Sequence, residues 1–277
     1  MVSFRTAYLA HVGDTATAGD SVATLRAIVA AHNRSIPFEN LDPLTGVPVA
    51  DLSVESLTDK LVHRRRGGYC YEHNGLLGYV LEDMGFSVQR LAGRVVWMRE
   101  GHSDEPPPQT HQVLAVTLPD GTGPYLVDVG FGGQTLTSPI RLQSGAEQQT
   151  RHEPYRLLDH SEGYLLQALI RGEWQPLYTL SLEPRPRIDL EVGSWYVSTH
   201  PASGFVVGLS AALVTDGERW NLRGRNLAVH RPGGTTRTHF DTADEVLEVL
   251  SQRFGIDLSD LGDRAALRAR VDEVLDR

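Results

Sequence analysis

One cysteine and one lysine stand in a chain of 277 residues. The lone Cys70 excludes an intrachain disulfide and any zinc site built on several cysteines. Positive charge is carried almost wholly by arginine. Lys60 is the exception, and its isolation reads as genomic composition bias rather than mechanism. No apolar run reaches the ~18 residues of a membrane-spanning helix. The stretch MVSFRTAYLAHVGD lacks the basic start and long apolar core of a secretory signal. The chain is therefore expected in the cytoplasm, where a single thiol stays reduced. A net charge of −9 disfavours a general nucleic-acid or anionic-membrane partner, so an anionic small ligand needs a local cationic or backbone N–H site. The histidines are scattered and no H-E-x-x-H spacing occurs, which makes a metal enzyme improbable and predicts no metal. Repeats and low-complexity segments are also missing.

What is present is ordinary globular composition, with 40% hydrophobic and 22% charged residues. The length suggests roughly two or three domains. The first third reads as helical. Val22, Leu25, Ile28, Val29 and His32 keep a 3.6-residue period. Pro37 stops that helix, and IPFENLDPLTGVPV reads as an extended, turn-rich connector. Ser53 can cap a short helix, and a further helix should start near Cys70 and end at Met84, with Gly85 as its C′ residue.

From about Phe86 the pattern changes to short strands between Gly/Pro turns: LAGRVVWM, HQVLAVTL, YLVDVGF, YRLLDH, GYLLQALI and EWQPLYTL. Such a series suggests an antiparallel barrel or sandwich. SDEPPPQT (103–110) is a strand-incompatible loop, and LEPRPR (182–187) reads as a linker. Beyond it SWYVST, FVVGLSAALV and NLAVHR look strand-like, and two helices close the chain.

Chemistry concentrates in RRRGGYCYEHNG (64–75). A thiol attacks as thiolate, which a helix N-terminus, nearby cations or a histidine would favour. Gly67 and Gly68 permit a tight approach to the helix, Cys70 falls in its first turn, and Arg64, Arg65 and Arg66 precede it. Free N–H groups in that turn could also hold an oxyanion. The plainer reading is a packed thiol, because Cys70, His73, Leu77, Leu81 and Met84 share one helical face.

Two further residues extend the pattern. His111 opens a strand just after the proline loop, where a scaffold can fix a side chain. Asp128 lies among apolar residues in LVDVGF, and a buried aspartate needs a partner such as histidine. Between them LPDG signals a turn. With Pro119 and Asp120 as the two turn residues, His111 falls opposite Asp128; a bulge at Gly121 would turn the two side chains to opposite faces, and longer turns through TGP stay open. The order Cys, His, Asp fits acyl transfer through a thioester.

RRRGGYCYEHNG, THQVLAV and YLVDVGFGG, with SIPFENLDPL and STHPASGFVVGL, together resemble the arylamine N-acetyltransferases, in particular the actinobacterial type. The resemblance spans nearly the whole chain. It implies an α+β fold with a helical bundle (1–86), a central antiparallel β-barrel (87–187) and a C-terminal α/β lid (188–277), the first two forming a cysteine-protease-like core. It also implies a Cys70–His111–Asp128 triad and ping-pong transfer of acetyl from acetyl-CoA to arylamines or hydrazines, a role in xenobiotic metabolism. Cofactor contacts are expected at Gly130, Phe131, Gly132 and Gly133, with Trp97 and Thr110 as weaker ones. The glycines permit close backbone approach but do not form a phosphate loop. Phe38, Tyr71, Val95, Phe131 and Phe205 are the candidate walls of an apolar amine pocket. Glu39 is expected to pair with Arg65. A papain- or transglutaminase-like hydrolase using the same three residues, and a non-catalytic aromatic-ligand binder with an inert Cys70, are the rival readings. A monomer and a homodimer both stay open.

Overall fold

The structure, a computed structural model, describes residues 3–13, 19–99 and 105–275. The chain begins with α1 (Phe4–Val12) and α2 (Val22–Ser35), each capped by a serine hydroxyl, Ser3 and Ser21. The proline-rich connector is not wholly irregular. It forms a two-residue strand, β1 (Phe38–Glu39), and one helical turn, α3 (Leu41–Leu44). Ser53 caps α4 (Val54–Thr58), which runs into a π-helical turn over Asp59–His63. Then α5 (Cys70–Asp83) starts at the cysteine, and Gly85 at φ 93° closes it as the spacing predicts.

Seven strands follow: β2 (Ser87–Val95), β3 (Gln109–Thr117), β4 (Tyr125–Val127), β5 (Ile140–Arg141), β6 (Tyr155–His160), β7 (Gly163–Ile170) and β8 (Glu173–Ser181). They form one antiparallel sheet in the order β5-β4-β3-β2-β8-β7-β6. Gln148 nearly closes it into a barrel. Its backbone pairs with Tyr155 on one edge strand, at 2.8 and 2.9 Å. Its carboxamide bonds the Arg141 backbone on the other, at 2.6 and 2.9 Å.

Strand β3 is buried on both faces. Leu114 and Val116 join the apolar cluster of the helices, whereas Val113 and Ala115 join the barrel's own cluster with Leu126 and Tyr178. Period-two alternation puts His111 on the barrel-side face of β3, and Asp128, two residues past Leu126, on the same face. The hairpin between them is wider than a two-residue turn. Val116 pairs with Tyr125 and Leu114 with Val127, while Leu118 accepts from Gly121 and donates to Thr122. The longer turn through TGP shifts the register by two, so parity survives and His111 lies diagonal to Asp128 rather than opposite it.

The remaining elements are α6 (Arg187–Thr199), α7 (Gly204–Val207), β9 (Ser210–Val214), β10 (Arg219–Arg223), β11 (Asn226–Arg231), β12 (Gly234–His239), α8 (Ala243–Gln252) and α9 (Arg264–Leu275). The strands make a second sheet, β1-β9-β10-β11-β12, backed by α8 and α9 through a separate apolar cluster. Strand β1 comes from the N-terminal segment, so this sheet stitches the start of the chain to its end.

SWYVST is helical, not a strand: it is the last half of α6. Leu190, Ser194, Val197 and Ser198 point inward at helical spacing, but Ile188, Val192, Trp195 and Tyr196 are exposed. Apolar residues on both sides hid the period. FVV is likewise the one-turn α7, and the strand begins only at Ser210.

Within the helical core runs a chain of neutral hydrogen bonds. Carbonyls only accept, so His73 Nε2 donates to Gly68 O at 3.0 Å and Pro37 O at 3.2 Å. Its Nδ1 then accepts from His32 Nε2 at 2.8 Å, and His32 Nδ1 accepts from the Tyr8 hydroxyl at 2.9 Å. Burial pushes His73 down to about 4, against the opposing pull of those carbonyls, and holds His32 well below the ordinary range. As pH falls below about 6.5, the unfolded chain binds protons that the fold excludes, so stability declines toward acid by up to about 1.4 kcal/mol per pH unit per histidine. The urea midpoint should therefore drop between about pH 7 and pH 5. A flat profile would mean that the pair is charged or exposed in the native state.

Candidate active site

Cys70 is the first residue of α5 and is 4% exposed. Tyr69 precedes it in extended conformation, and Glu72 Oε2 reaches back to accept from Tyr69 N at 3.1 Å. An ion network with buried cations, open to solvent only at its Asp42 and Asp260 edge, braces this turn. Arg66 donates to Glu39 Oε1 through Nε (3.1 Å) and Nη2 (2.9 Å), to Asp42 (2.8 Å), and through Nη1 to Asp260 (3.0 Å). The partner of Glu39 is thus Arg66; Arg65 is exposed and sits at φ 50°. Reach decides this, since Arg65 points outward and Arg66 inward.

The sole lysine belongs to the same network. Lys60 Nζ lies 2.6 Å from both Asp42 Oδ2 and Glu72 Oε1. Burial works against its charge, but Glu72, Glu39 and Asp42 outweigh that and hold it protonated above the usual lysine range. Its isolation in the composition is therefore accompanied by a structural role.

The structure brings Cys70, His111 and Asp128 together. His111 Nε2 donates to Asp128 Oδ2 at 2.8 Å, which leaves Nδ1 for Cys70, the ring's other side-chain partner. The thiol also lies 3.6 Å from the Thr110 carbonyl. Burial disfavours the imidazolium, but the charges of Asp128 and Cys70 and their hydrogen bonds overcome it and raise His111 to about 10. For Asp128 burial again opposes the charge, and His111, Asn74 Nδ2 (2.9 Å) and Gly130 N (3.0 Å) keep its pKa below the ordinary carboxylate value.

Asn74 went unnoticed in the sequence. One turn after Cys70, its carboxamide donates to Asp128 and to Gln112 O (2.7 Å) and accepts from Val129 N (3.0 Å). It clamps α5 to β3 and to the Asp128 loop. Its signal was a carboxamide on the apolar face one turn from the cysteine. Tyr178 was also missed. Its ring lies 4.6 Å from that of His111, with Phe131 at 5.1 Å, so two aromatic rings flank the imidazole. Only the β2–β8 pairing, which puts Tyr178 beside Val95, brings it there.

Of the other expected contacts, Gly130 abuts Cys70: a Cβ on it would sit 2.5 Å from the Cys70 Cα. Gly132 lies against the Phe38 ring and Gly133 against Asn221. Phe38 meets Phe205 edge-on at 5.8 Å, and Phe205 packs on Tyr69 at 5.2 Å. Tyr71 is 1% exposed in the helical core, edge-on to Tyr69. Val95 ends β2, and Trp97 sits beyond it, packed on the barrel cluster as Phe131 is. The Thr110 hydroxyl turns away to Pro108 O at 3.5 Å. The PPP loop is described only from Glu105 onward, so Ser103 and Asp104 lie outside the described residues. Among those residues no group of three or more His, Cys, Asp or Glu is placed to hold a metal ion.

A cysteine at a helix start, joined to histidine and aspartate on an adjoining barrel, defines an acyl-transfer type of site. Residues 21–262 match an N-acetyltransferase family. The chain is 67% identical over 270 residues to the arylamine N-acetyltransferase of Mycolicibacterium smegmatis, covering 97% of each. A solved M. smegmatis arylamine N-acetyltransferase superposes with a TM-score of 0.96 at 65% identity, over 100% of both chains. The Mycobacterium marinum enzyme, solved in complex with CoA, gives 0.94 at 58% identity, over 97% of this chain and 98% of that one. The chain belongs to the arylamine N-acetyltransferase family.

Two substitutions test the site. Lys60→Met leaves the buried Glu72 carboxylate without its cation and Asp42 with Arg66 alone, and should cost about 3–5 kcal/mol in urea unfolding. Gly130→Ala forces α5 and the Asp128 loop apart. It should lower kcat/KM roughly 100-fold while circular dichroism stays native.

Proposed function

We propose that the enzyme works by ping-pong acetyl transfer from acetyl-CoA to arylamines, arylhydrazines or hydrazides, with Cys70, His111 and Asp128 as the triad. The observation that carries this reading is the orientation of His111: Asp128 holds Nε2, so Nδ1 serves the sulfur. With His111 raised to about 10, the ring is cationic at neutral pH, which suits a thiolate–imidazolium pair. The thiolate attacks the acetyl carbonyl, a new C–S bond forms, and CoA leaves as His111 returns a proton to its sulfur. An amine then attacks the acetyl-cysteine. His111 takes the amine's proton and the thiolate is restored. The amides of the first turn of α5 are suited to hold the tetrahedral oxyanion. Aromatic amines fit because they are weak bases, unprotonated and nucleophilic at neutral pH.

For acetyl-CoA we assign Gly130, Phe131, Gly132 and Gly133, with Thr110 and Trp97 at the margin. Support comes from the contact of Gly130 with Cys70 and from the relative solved with CoA. For the amine we assign Phe38, Tyr71, Val95, Phe131 and Phe205, of which Phe38 and Phe205 form one aromatic contact. The same reading divides the chain into 1–86, 87–187 and 188–277 as bundle, barrel and lid, and places it in the reducing cytoplasm.

Intact-protein mass after mixing with acetyl-CoA tests the mechanism. One acetyl adduct should appear on Cys70, vanish when an arylamine is added, and be absent from Cys70→Ala. Iodoacetamide should alkylate Cys70 rapidly well below pH 8, and His111→Ala should abolish that reactivity. Alkylation no faster than that of a free thiol, with no adduct, would replace transfer by an inert binding site.

A further inference from the structure

Asn40 occupies the N-cap position of α3, where an asparagine side chain normally accepts from its own helix. It makes no such bond. Glu39 Oε2 takes the Leu41 N–H instead, at 2.5 Å. The Asn40 carboxamide, fully buried, is committed elsewhere. Its Nδ2 donates to Phe205 O and to Gly208 O, both at 2.7 Å, and its Oδ1 accepts from Ser210 N at 2.8 Å. Phe38 and Glu39 pair with Ala212 and Ala211, so the Asn40 side chain adds the next rung of that ladder at Ser210.

The segment it grips has little packing of its own. No residue of α7 is fully buried, and Gly208 follows at once. Besides Asn40, its ties include Ser203 Oγ to Val197 O (2.6 Å) and Arg270 Nη2 to Val206 O (2.8 Å). Phe205 rides on this segment and is the residue that meets both Phe38 and Tyr69.

We propose that Asn40 is a specificity-determining positioning residue: by pinning the Phe205–Gly208 backbone it fixes how far the Phe205 ring reaches toward Phe38, and so sets the width of the amine pocket. This rests on the amine-pocket reading above. Asn40 touches no reacting atom. Without its donors the segment relaxes outward and wider amines gain relative to narrow ones, by an amount typical of pocket discrimination.

The test compares kcat/KM for a fused-ring amine, 2-aminofluorene, with that for aniline, using full-length enzyme. Asn40→Ala, and the near-isosteric Asn40→Asp that lacks both donors, should raise the fused-ring to aniline ratio roughly tenfold. Phe205→Leu should raise it too, and adding Asn40→Ser to Phe205→Leu should change it no further. A ratio unchanged within about twofold, equal losses for both amines, or additive effects in the double variant would overturn the inference. So would failure of the milder Asn40→Ser to fold, since Asn40 would then serve folding alone. A wild-type protein that forms no acetyl-cysteine would sink the transfer reading and this inference with it. A wild-type protein that acetylates both amines, beside variants with an unmoved ratio, sinks only the inference.

Discussion

An aspartate with no solvent exposure is the constraint around which the site is organised. An unpaired carboxylate in that environment is costly enough that every neighbour must serve it. His111 supplies one bond, Asn74 a second and the Gly130 amide a third. Each donor comes from a different part of the chain: β3, α5 and the Asp128 loop itself. Satisfying one charge therefore docks the cysteine helix on the barrel. Gly130 fits because only a residue without Cβ lets that loop come so near Cys70.

A second buried charge system does for the approach to Cys70 what Asp128 does for the helix. Lys60 and Arg66 together face Glu39, Asp42, Glu72 and Asp260. The carboxylates come from β1, α3, the first turn of α5 and the segment before α9. A surface pair contributes little, but here both cations are almost fully enclosed, and removing either would strand carboxylates in the interior. The two ends of the chain meet at this network, as they also do in the β1–β9 ladder. The position of Cys70 thus depends on residues nearly two hundred places downstream.

Much of this was legible in the sequence where a local rule governs. Ser53 and Gly85 marked helix ends because capping is a matter of a few adjacent atoms. Alternation along HQVLAVTL put His111 on one face, and parity preserved the reading although the turn was wider than two residues. What failed depends on partners distant in sequence. Tyr178 reaches His111 only through the β2–β8 pairing. The choice of Arg66 over Arg65 depends on which arginine points inward. Helix α6 hid because its outer face is apolar too, a property that no period can separate from burial.

His73 and His111 separate by environment, and the separation shows which ring can stand charged beside the thiol. His73 lies one turn along α5 from Cys70 and shares its apolar face. Both its nitrogens are committed, Nε2 to two carbonyls and Nδ1 to His32, and burial pushes it to about 4. It can neither accept the thiol's proton nor turn toward it without breaking three bonds. His111 is just as buried but has a carboxylate at 2.8 Å and the sulfur as its other partner, and those charges reverse the effect of burial. Burial without a counter-charge makes a neutral strut; burial with one makes a resident cation. Proximity along the helix therefore decides nothing. The buried aspartate does, by selecting which imidazole can hold a proton beside the sulfur.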